Sequence, residues 1–479
     1  MQQQSDRPSP LGGVLHKFLV TLVPLGLLLY GLIRGTEADL HLQIGVAAGF
    51  LVYIVTFIDL TLGLAILIAC VGLSPELTIG SLQNLRLEDF VVPALIISWI
   101  TRMMQQRIPL APLLVAPALP LYAGVIVLST LAGVTAGTTS LSTAVLYMGK
   151  FVEFFLIYLL LVNNITKREE FRALACFAIL VAVTSALMVS NAFADERTPG
   201  RLNGPLGETA NMYGGYLILN IAIALGLFLH ATSGPGRMAT AAAVVLLGIP
   251  LLYTYSRTSF VAIMFASLLF GLLKDRRLLA VALIAAFLTA AVAPESIWHR
   301  ISTISGVATG NEPSSWSSRV WAWQLSGGRA LQESPLLGFG LASIKLGMVD
   351  NEYVRVLVDT GILGLGLFLW VLGGLAFKAT ALVGKMAPQT FERGYASGYW
   401  IGFVAMMIHA IGATSYTSIR TMECFIVITG LFGALYNHAE EWGLTQKVSP
   451  GGGTILIDAS PALDPLPGPA LRTPSVSKP

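Results

Sequence analysis

Long apolar stretches separated by short polar segments recur along almost the whole chain. Many of them run for roughly 17 to 23 residues, the length that an α-helix needs to cross the hydrocarbon core of a bilayer. A transmembrane β-barrel would instead show shorter segments of alternating polarity. The pattern therefore predicts an all-α fold, a polytopic transmembrane helical bundle of about 12–14 spans.

The composition and the placement of basic residues support this prediction and add an orientation. Hydrophobic residues make up 55% of the sequence and charged residues only 11%, whereas soluble proteins contain about 25% charged residues. With a cytoplasmic N-terminus, the cytoplasmic segments hold roughly 17 of the basic residues and the outer segments roughly 11. The positive-inside rule therefore predicts that both termini are cytoplasmic.

This orientation divides the chain into five parts. They are a cytoplasmic N-terminus (1–14), transmembrane helices 1–11 with a periplasmic loop at 191–211 (15–294), a large helical periplasmic loop (295–355), transmembrane helices 12–14 (356–440) and a disordered cytoplasmic tail (441–479). The tail is rich in proline, glycine and serine and cannot build a packed core. The large loop contains aromatic residues and helical patterning, which favour an ordered cap.

Several kinds of chemistry find no support in the sequence. Cys70, Cys176 and Cys424 all lie in apolar segments and lack the spacing of zinc ligands or of a disulfide framework. No phosphate-binding glycine loop and no zinc-protease motif is present. We therefore expect no cofactor, no metal and no nucleic-acid partner.

A polar cluster leads directly into the long apolar stretch near residue 356. It contains Asp350, Asn351, Glu352, Tyr353 and Arg355, which are costly at a membrane surface unless they handle a polar substrate. Asp350 or Glu352 could act as a general base on a sugar hydroxyl. Alternatively, either could pair with an arginine or hydrogen-bond a sugar without proton transfer, and Asp350 could cap the helix.

Arginines are the second group of candidate binding residues. Arg201, Arg257, Arg319 and Arg355 all fall in or beside predicted outer segments, and guanidinium groups bind phosphate oxygens in a bidentate manner. Each could instead simply extend to the headgroups, although Arg257 sits in a very short turn between two spans. Trp323 could stack on a sugar or anchor the loop at the interface.

Other polar residues have simpler interpretations. Lys150 and Glu153 are three residues apart in one span and should neutralise each other, with a substrate contact as the alternative. Asp359 and Arg355 have the spacing of a helical ion pair. A hydrogen-bonded packing role is expected for His409.

Four sequence blocks occur in a fixed order. They are Arg201-Leu202-Asn203-Gly204-Pro205 leading into Asn211; Tyr255-Ser256-Arg257; Ser318-Arg319 with Trp323 and Ser334-Pro335-Leu336-Leu337-Gly338-Phe339-Gly340; and Asp350-Asn351 followed by Gly361-x-x-Gly364. Together they resemble the superfamily of O-antigen ligases and O-antigen polymerases, which are glycosyltransferases of the bacterial inner membrane. The resemblance covers about Arg201 to Leu367.

The resemblance implies a reaction without metal or nucleotide at the periplasmic face. A glycan on a polyprenyl diphosphate would be the donor, and a hydroxyl of a second glycan would displace the lipid diphosphate. Arg201 and Arg257 would stabilise the leaving diphosphate, and Asp350 or Glu352 would orient or deprotonate the acceptor. The candidate substrate-binding residues are Arg319, Arg355, Asn351, Tyr353 and Trp323. The lipid bilayer and a chain-length regulator are the further expected partners.

One departure from the family pattern favours a polymerase of O-antigen or exopolysaccharide. Ligases of this superfamily carry a histidine where this chain has Asp350. A ligase that transfers the glycan to lipid A core or to protein is the alternative. A transporter of polysaccharide or lipid-linked glycan is the alternative from another class, but it should show internal repeats and charges deep in the bilayer.

Overall fold

The structure is a computed structural model that describes residues 51–281, 315–343, 349–448 and 454–455, apart from 57, 75–76, 80–81, 107–108, 191–201, 207 and 446. The described helices are α1 (Leu60–Leu73), α2 (Glu88–Gln106), α3 (Ala118–Thr135), α4 (Leu141–Asn164), α5 (Arg168–Ser190), α6 (Ala210–His230), α7 (Gly234–Tyr253), α8 (Arg257–Leu273), α9 (Ser315–Glu333), α10 (Glu352–Lys385), α11 (Phe391–His409) and α12 (Ile419–His438). Two short antiparallel hairpins accompany them: β1 (Leu77–Ile79) with β2 (Leu82–Leu85), and β3 (Lys447–Val448) with β4 (Thr454–Ile455).

The chain is an all-α, multi-pass membrane protein, as the sequence predicts. In the described part, seven helices are long and apolar enough to cross a bilayer, namely α3, α4, α5, α6, α7, α10 and α12. Two further apolar helices, α1 and α8, are shorter. The predicted spans within 1–50 and 282–294 lie outside the described residues, so the total of about 12–14 spans stays a prediction.

Helix α6 lies at the centre of the bundle and packs most closely against α11. It is hydrophobic on all sides and 89% of its apolar window is buried, as expected for a helix surrounded by others. Gly226 of α6 faces Gly394 and Gly398 of α11 so closely that an added Cβ would overlap their backbones. Small residues therefore set this contact, which is how transmembrane helices approach one another.

Helix α10 is interrupted at Gly361, whose φ is 66° and ψ −167°. The interruption frees two carbonyl groups, and the backbone of the 334–340 segment pairs with them. Phe339 N–H donates to the Val358 carbonyl at 2.8 Å, and Gly340 N–H donates to the Asp359 carbonyl at 2.9 Å. The broken helix is thus fully bonded, a requirement at membrane depth. Two blocks of the sequence resemblance form one structural unit here.

The helices alternate in direction and define two ends of the bundle. The starts of α1 and α5 and the ends of α2 and α4 surround a polar cavity of about 400 Å³ at one end. Arg102 and Lys167 line it, and we name it the inner end after the orientation that the positive-inside rule predicts. The starts of α6, α8, α10 and α12 lie at the opposite, outer end.

Two predicted boundaries can be compared with the described elements. Helix α10 begins at Glu352, a few residues before the predicted limit of the large loop, so Glu352, Tyr353 and Arg355 are helical residues. Helix α9 lies within that loop, as its patterning indicates. The tail predicted from 441 begins with an ordered turn and the β3–β4 hairpin, and 456–479 lie outside the described residues.

Candidate functional site

The candidate site is organised by the turn between α11 and α12, residues 410–418, which we call the 410–418 turn. Glu352 N–H donates to the Ala410 carbonyl at 2.9 Å. In return the Glu352 carboxylate accepts the Tyr416 N–H at 3.0 Å and the Thr417 hydroxyl at 2.5 Å. Only 2% of Glu352 is exposed. Its carboxylate therefore fastens the start of α10 to the turn.

The same turn holds the starts of α6 and α8. The Asn211 side-chain amide donates to the Gly412 carbonyl at 3.1 Å, and the Ser256 hydroxyl donates to Asn211 Oδ1 at 2.6 Å. Ser256 also caps α8 by accepting the Ser259 N–H. Arg257 follows as the first residue of α8, and it is exposed. The block that leads into Asn211 and the block Tyr255-Ser256-Arg257 thus meet the start of α10 at the 410–418 turn.

The helix starts give the outer end a positive electrostatic character. Helices α6, α8, α10 and α12 all begin next to the 410–418 turn. Thr209 and Ser418, which precede α6 and α12, make no side-chain capping bond. The helix dipoles favour an anion at such ends, although the Ala210 N–H of α6 already donates to Asn203 Oδ1 at 3.0 Å. The adjoining Arg257 guanidinium adds a full positive charge.

Asp350 is the accessible carboxylate at the start of α10. Its Oδ2 lies 3.3 Å from Nη2 of Arg319 on α9, and the two side chains are 58% and 34% exposed. The alternative interpretation of Asp350 as the helix cap is wrong. Asn351 takes that position, and its Oδ1 accepts the Val354 N–H at 3.1 Å. The Asp350 carboxylate remains open to a substrate on its exposed side.

A second ion pair, formed by two residues of α10, is more deeply buried. Arg355 Nε is 3.6 Å from Asp359 Oδ2, and the side chains are only 15% and 6% exposed. This is the helical ion pair that the spacing predicts. Asp359 and Glu352 line a cavity of about 50 Å³, together with aromatic rings that include Tyr122. Such a volume accommodates water molecules but not a sugar.

The remaining predicted substrate-binding residues face the protein. The Tyr353 hydroxyl donates to the Met407 carbonyl of α11 at 2.8 Å, and its ring packs 6.2 Å from Phe368 between centroids. Trp323 is half-buried on α9. Arg201 lies outside the described residues. Its neighbour Leu202 donates its N–H to the Tyr253 carbonyl at 2.9 Å, which places the described part of that block beside the start of α8.

Sequence reasoning missed the 410–418 turn, although it joins the predicted blocks. Its residues belong to none of those blocks. The available signal was the polar run from Thr414 to Ser418 between two apolar stretches, because hydroxyl groups there can bond helix starts. The expected role of His409 is confirmed. Its ring is fully buried, and Nδ1 lies 2.7 Å from the Ser415 hydroxyl.

Comparison with known families settles the resemblance. Residues 242–369 match the family model described as O-Antigen ligase. This stretch is similar to the O-antigen ligase family. The matched residues include the second half of α7, α8, α9 and the first half of α10. They contain both the Arg319–Asp350 pair and the break at Gly361. The resemblance predicted from the sequence blocks is therefore confirmed.

The match is consistent with the general type of the O-antigen ligases and polymerases. Together with the apolar helices, it is consistent with a multi-pass membrane protein of that type. The 410–418 turn and the Arg201 block lie outside the matched residues. A search among curated proteins returned no match.

Proposed function

We propose that this chain is a polymerase that joins polyprenyl-diphosphate-linked oligosaccharide repeat units at the periplasmic face of the bacterial inner membrane. The observation that carries the proposal is the meeting of helix starts at the 410–418 turn. It places the exposed Arg257 and the exposed Asp350 at one end of the bundle. The products would be O-antigen or exopolysaccharide.

The positive helix starts and Arg257 support a diphosphate site. In the transfer step an acceptor hydroxyl oxygen forms a bond to the anomeric carbon, and the bond from that carbon to the diphosphate oxygen breaks. The leaving diphosphate takes the electron pair, so its charge grows in the transition state. Groups placed in advance around that charge lower the barrier. Arg201 is assigned the same task by the resemblance.

Asp350 is the better supported of the two candidate bases. Its side chain is 58% exposed, whereas both carboxylate oxygens of Glu352 accept hydrogen bonds from the 410–418 turn. We assign proton removal from the acceptor to Asp350 and the positioning of α10 to Glu352. Arg319, 3.3 Å away, orients Asp350 until the acceptor arrives.

The residue at position 350 is also what favours a polymerase over a ligase. The ligases of the superfamily have a histidine there, and this chain has an aspartate. Ligation to lipid A core or to protein is the second candidate, because the match to the O-antigen ligase family fits either acceptor. The two activities share the donor and differ only in the acceptor hydroxyl.

The test uses the purified full-length protein in a bilayer with lipid-linked repeat units. A ladder of lengthening glycans is the expected product, whereas a single transfer to added lipid A core would make the chain a ligase. Absence of any new glycosidic bond would overturn both candidates and favour a transporter. No nucleotide should be needed, because the sugar–diphosphate bond is already activated.

Arg257→Ala tests the diphosphate assignment in the same assay. We expect a loss of about 10²- to 10³-fold in rate, the usual effect of removing one group that stabilises developing charge. Arg329→Ala is the matched control, since Arg329 is an exposed arginine that pairs only with Glu333 on its own helix among the described contacts. Equal rates in the two variants would remove Arg257 from the site.

A further inference from the structure

A buried network of charged groups joins α2, α4 and α12 in the outer half of the bundle. Lys150 lies at its centre, 2.5 Å from Asp89, 2.7 Å from Glu153 and 3.9 Å from Glu423. Arg86 lies 3.8 Å from Glu88 and 3.6 Å from Glu423. The predicted neutralisation of Lys150 by Glu153 is therefore only one part of a larger arrangement.

The network contains more acidic than basic groups. Among the described residues, the carboxyl groups of Glu88, Asp89, Glu153 and Glu423 face only the two cations Arg86 and Lys150. Full ionisation would leave two negative charges uncompensated inside the bundle. Isolated charges of this kind cost several kcal/mol each, and a carboxylate in that position takes up a proton instead.

The hydrogen bonds show which carboxyl groups are ionised. Asp89 accepts the backbone N–H of Arg86 at 2.6 Å and the Lys150 ammonium at 2.5 Å, and Glu153 accepts the Lys150 ammonium at 2.7 Å. These contacts have the short lengths of charge-assisted hydrogen bonds. Both carboxylates therefore pair with Lys150, and their two charges equal the combined charge of Lys150 and Arg86.

Glu88 and Glu423 are more deeply buried than these two and accept fewer hydrogen bonds. Both have side chains that are 0% exposed, and none of their carboxyl oxygens accepts a hydrogen bond within the described structure. Their shortest distances to a cation are 3.8 Å and 3.6 Å, too long for the hydrogen bonds that an ionised carboxylate needs. They are the acidic groups in excess.

We propose that this network is a proton-binding site, in which Glu88 and Glu423 each hold one proton at neutral pH. With two protons bound, the network is neutral, two cations against two carboxylates. The charged and titratable groups around the two glutamates are Cys70 on α1, Arg86 just before α2, Asp89 on α2, Lys150 and Glu153 on α4, Glu208 just before α6, and Arg420 and Cys424 on α12.

Proton release would change the packing at the outer end of the bundle. Glu423 lies one turn into α12, directly after the 410–418 turn. Its neighbour Arg420 donates to the carbonyl groups of Gly72 and Ser74 at 3.1 and 2.6 Å and pairs with Glu208. Two new negative charges there would repel each other and loosen the packing of α12. Alkaline pH should therefore destabilise the protein.

The first experiment compares two matched pairs of substitutions. Glutamine has the shape of a protonated glutamate, so Glu88→Gln with Glu423→Gln should leave the unfolding temperature unchanged at neutral pH. The same variant should also lose the fall in unfolding temperature that the parent shows at alkaline pH. Asp89→Asn with Glu153→Gln removes the partners of Lys150 and should lower the unfolding temperature at both pH values.

Equal behaviour of the two pairs, or a lower unfolding temperature of the Glu88→Gln and Glu423→Gln variant at neutral pH, would overturn the proposal.

The second experiment does not depend on a variant that folds. Infrared spectra of the parent at neutral pH should contain the C=O stretch of protonated carboxyl groups, and this band should disappear on alkaline titration. Spectra without such a band would show all carboxyl groups ionised and refute the site.

When the variants fold, the same band should weaken in Glu88→Gln and in Glu423→Gln and stay unchanged in the control Glu441→Gln, whose carboxylate is exposed. An unchanged band in both test variants would contradict the assignment. Neither readout uses glycosyl transfer. Failure of the proposed function would therefore leave the proton-binding site intact, and the reverse also holds.

Discussion

Two arginine–aspartate pairs lie close together at the start of α10, and they differ in their surroundings. Arg319 and Asp350 are 3.3 Å apart with 34% and 58% of their side chains exposed. Arg355 and Asp359 are 3.6 Å apart with only 15% and 6% exposed. Exposed ion pairs contribute at most about 1 kcal/mol, because water solvates the separated charges well. A buried pair has no such substitute.

The difference teaches which groups can exchange partners during a reaction. Asp350 can leave Arg319 for a substrate at little cost, so it suits a step in which a proton is taken and returned. Asp359 cannot leave Arg355 without burying a lone charge. It belongs with Glu352 and Gly361 to the framework that keeps the start of α10 in place. Each prediction below tests whether a residue belongs to the exposed pair, which can change partners, or to the buried framework, which cannot.

The largest effect is expected from breaking the buried pair. Asp359→Leu alone should lower stability by about 3–5 kcal/mol, because the buried Arg355 guanidinium loses its ion-pair partner. The double variant with Arg355→Met should recover most of that loss. Thermal unfolding of the detergent-solubilised variants measures both. A single variant as stable as the double variant would show that the pair is not buried in the folded protein.

The sequence predicted one of the two ion pairs, left the partner of Asp350 open, and did not predict how deeply either pair is buried. The spacing of Arg355 and Asp359 predicts a helical pair, since residues four apart share a helix face. The partner of Asp350 stayed open between a cap and an arginine, because Arg319 is distant in sequence. Burial also depends on the surrounding helices, which no local pattern records. The two pairs look alike in the sequence and differ in the structure.

The next effect concerns the exposed pair and appears in the rate. Asp350→Asn should slow glycosyl transfer about a hundredfold, equivalent to about 2.7 kcal/mol, if Asp350 removes the acceptor proton. Stability should change by no more than about 0.5 kcal/mol, as at other surface positions. The measurements are polymerisation of lipid-linked repeat units and thermal unfolding.

Glu333→Gln is the control for this prediction, because Glu333 is also an exposed carboxylate paired with an arginine. It should alter neither the rate nor the stability. Turnover of Asp350→Asn close to that of the parent would exclude Asp350 as the base and return the question to Glu352.

A smaller loss of stability should follow from Gly361→Ala. Its φ of 66° and ψ of −167° lie in a region that only glycine adopts readily, and such strain costs about 1–3 kcal/mol. The added methyl group would also overlap the backbone of Leu336. Gly366→Ala, on the same helix with open space around it, should be neutral or slightly stabilising. Similar unfolding temperatures would mean that the break in α10 is not maintained.

The break itself shows how far a sequence pattern can be interpreted. The glycines at 361 and 364 were recognised as a block, as was the run from Ser334 to Gly340. Their mutual contact was not, because backbone hydrogen bonds such as Ile362 N–H to the Pro335 carbonyl, at 2.9 Å, leave no trace in side-chain periodicity. Likewise, the 410–418 turn gathers predicted residues through backbone groups. Helix periodicity predicts the transmembrane spans but not the backbone contacts that join these segments.

The smallest effect should come from removing the arginine of the exposed pair. Arg319→Ala should lower stability by less than about 1 kcal/mol, and added salt should reduce the difference from the parent further. Arg329→Ala, which breaks the exposed pair with Glu333 at 2.7 Å, should behave in the same way. A loss for Arg319→Ala as large as that for Asp359→Leu would mean that Asp350 is enclosed in the folded protein. Asp350 could not then exchange Arg319 for an incoming hydroxyl, and the division of roles between the two pairs would fail.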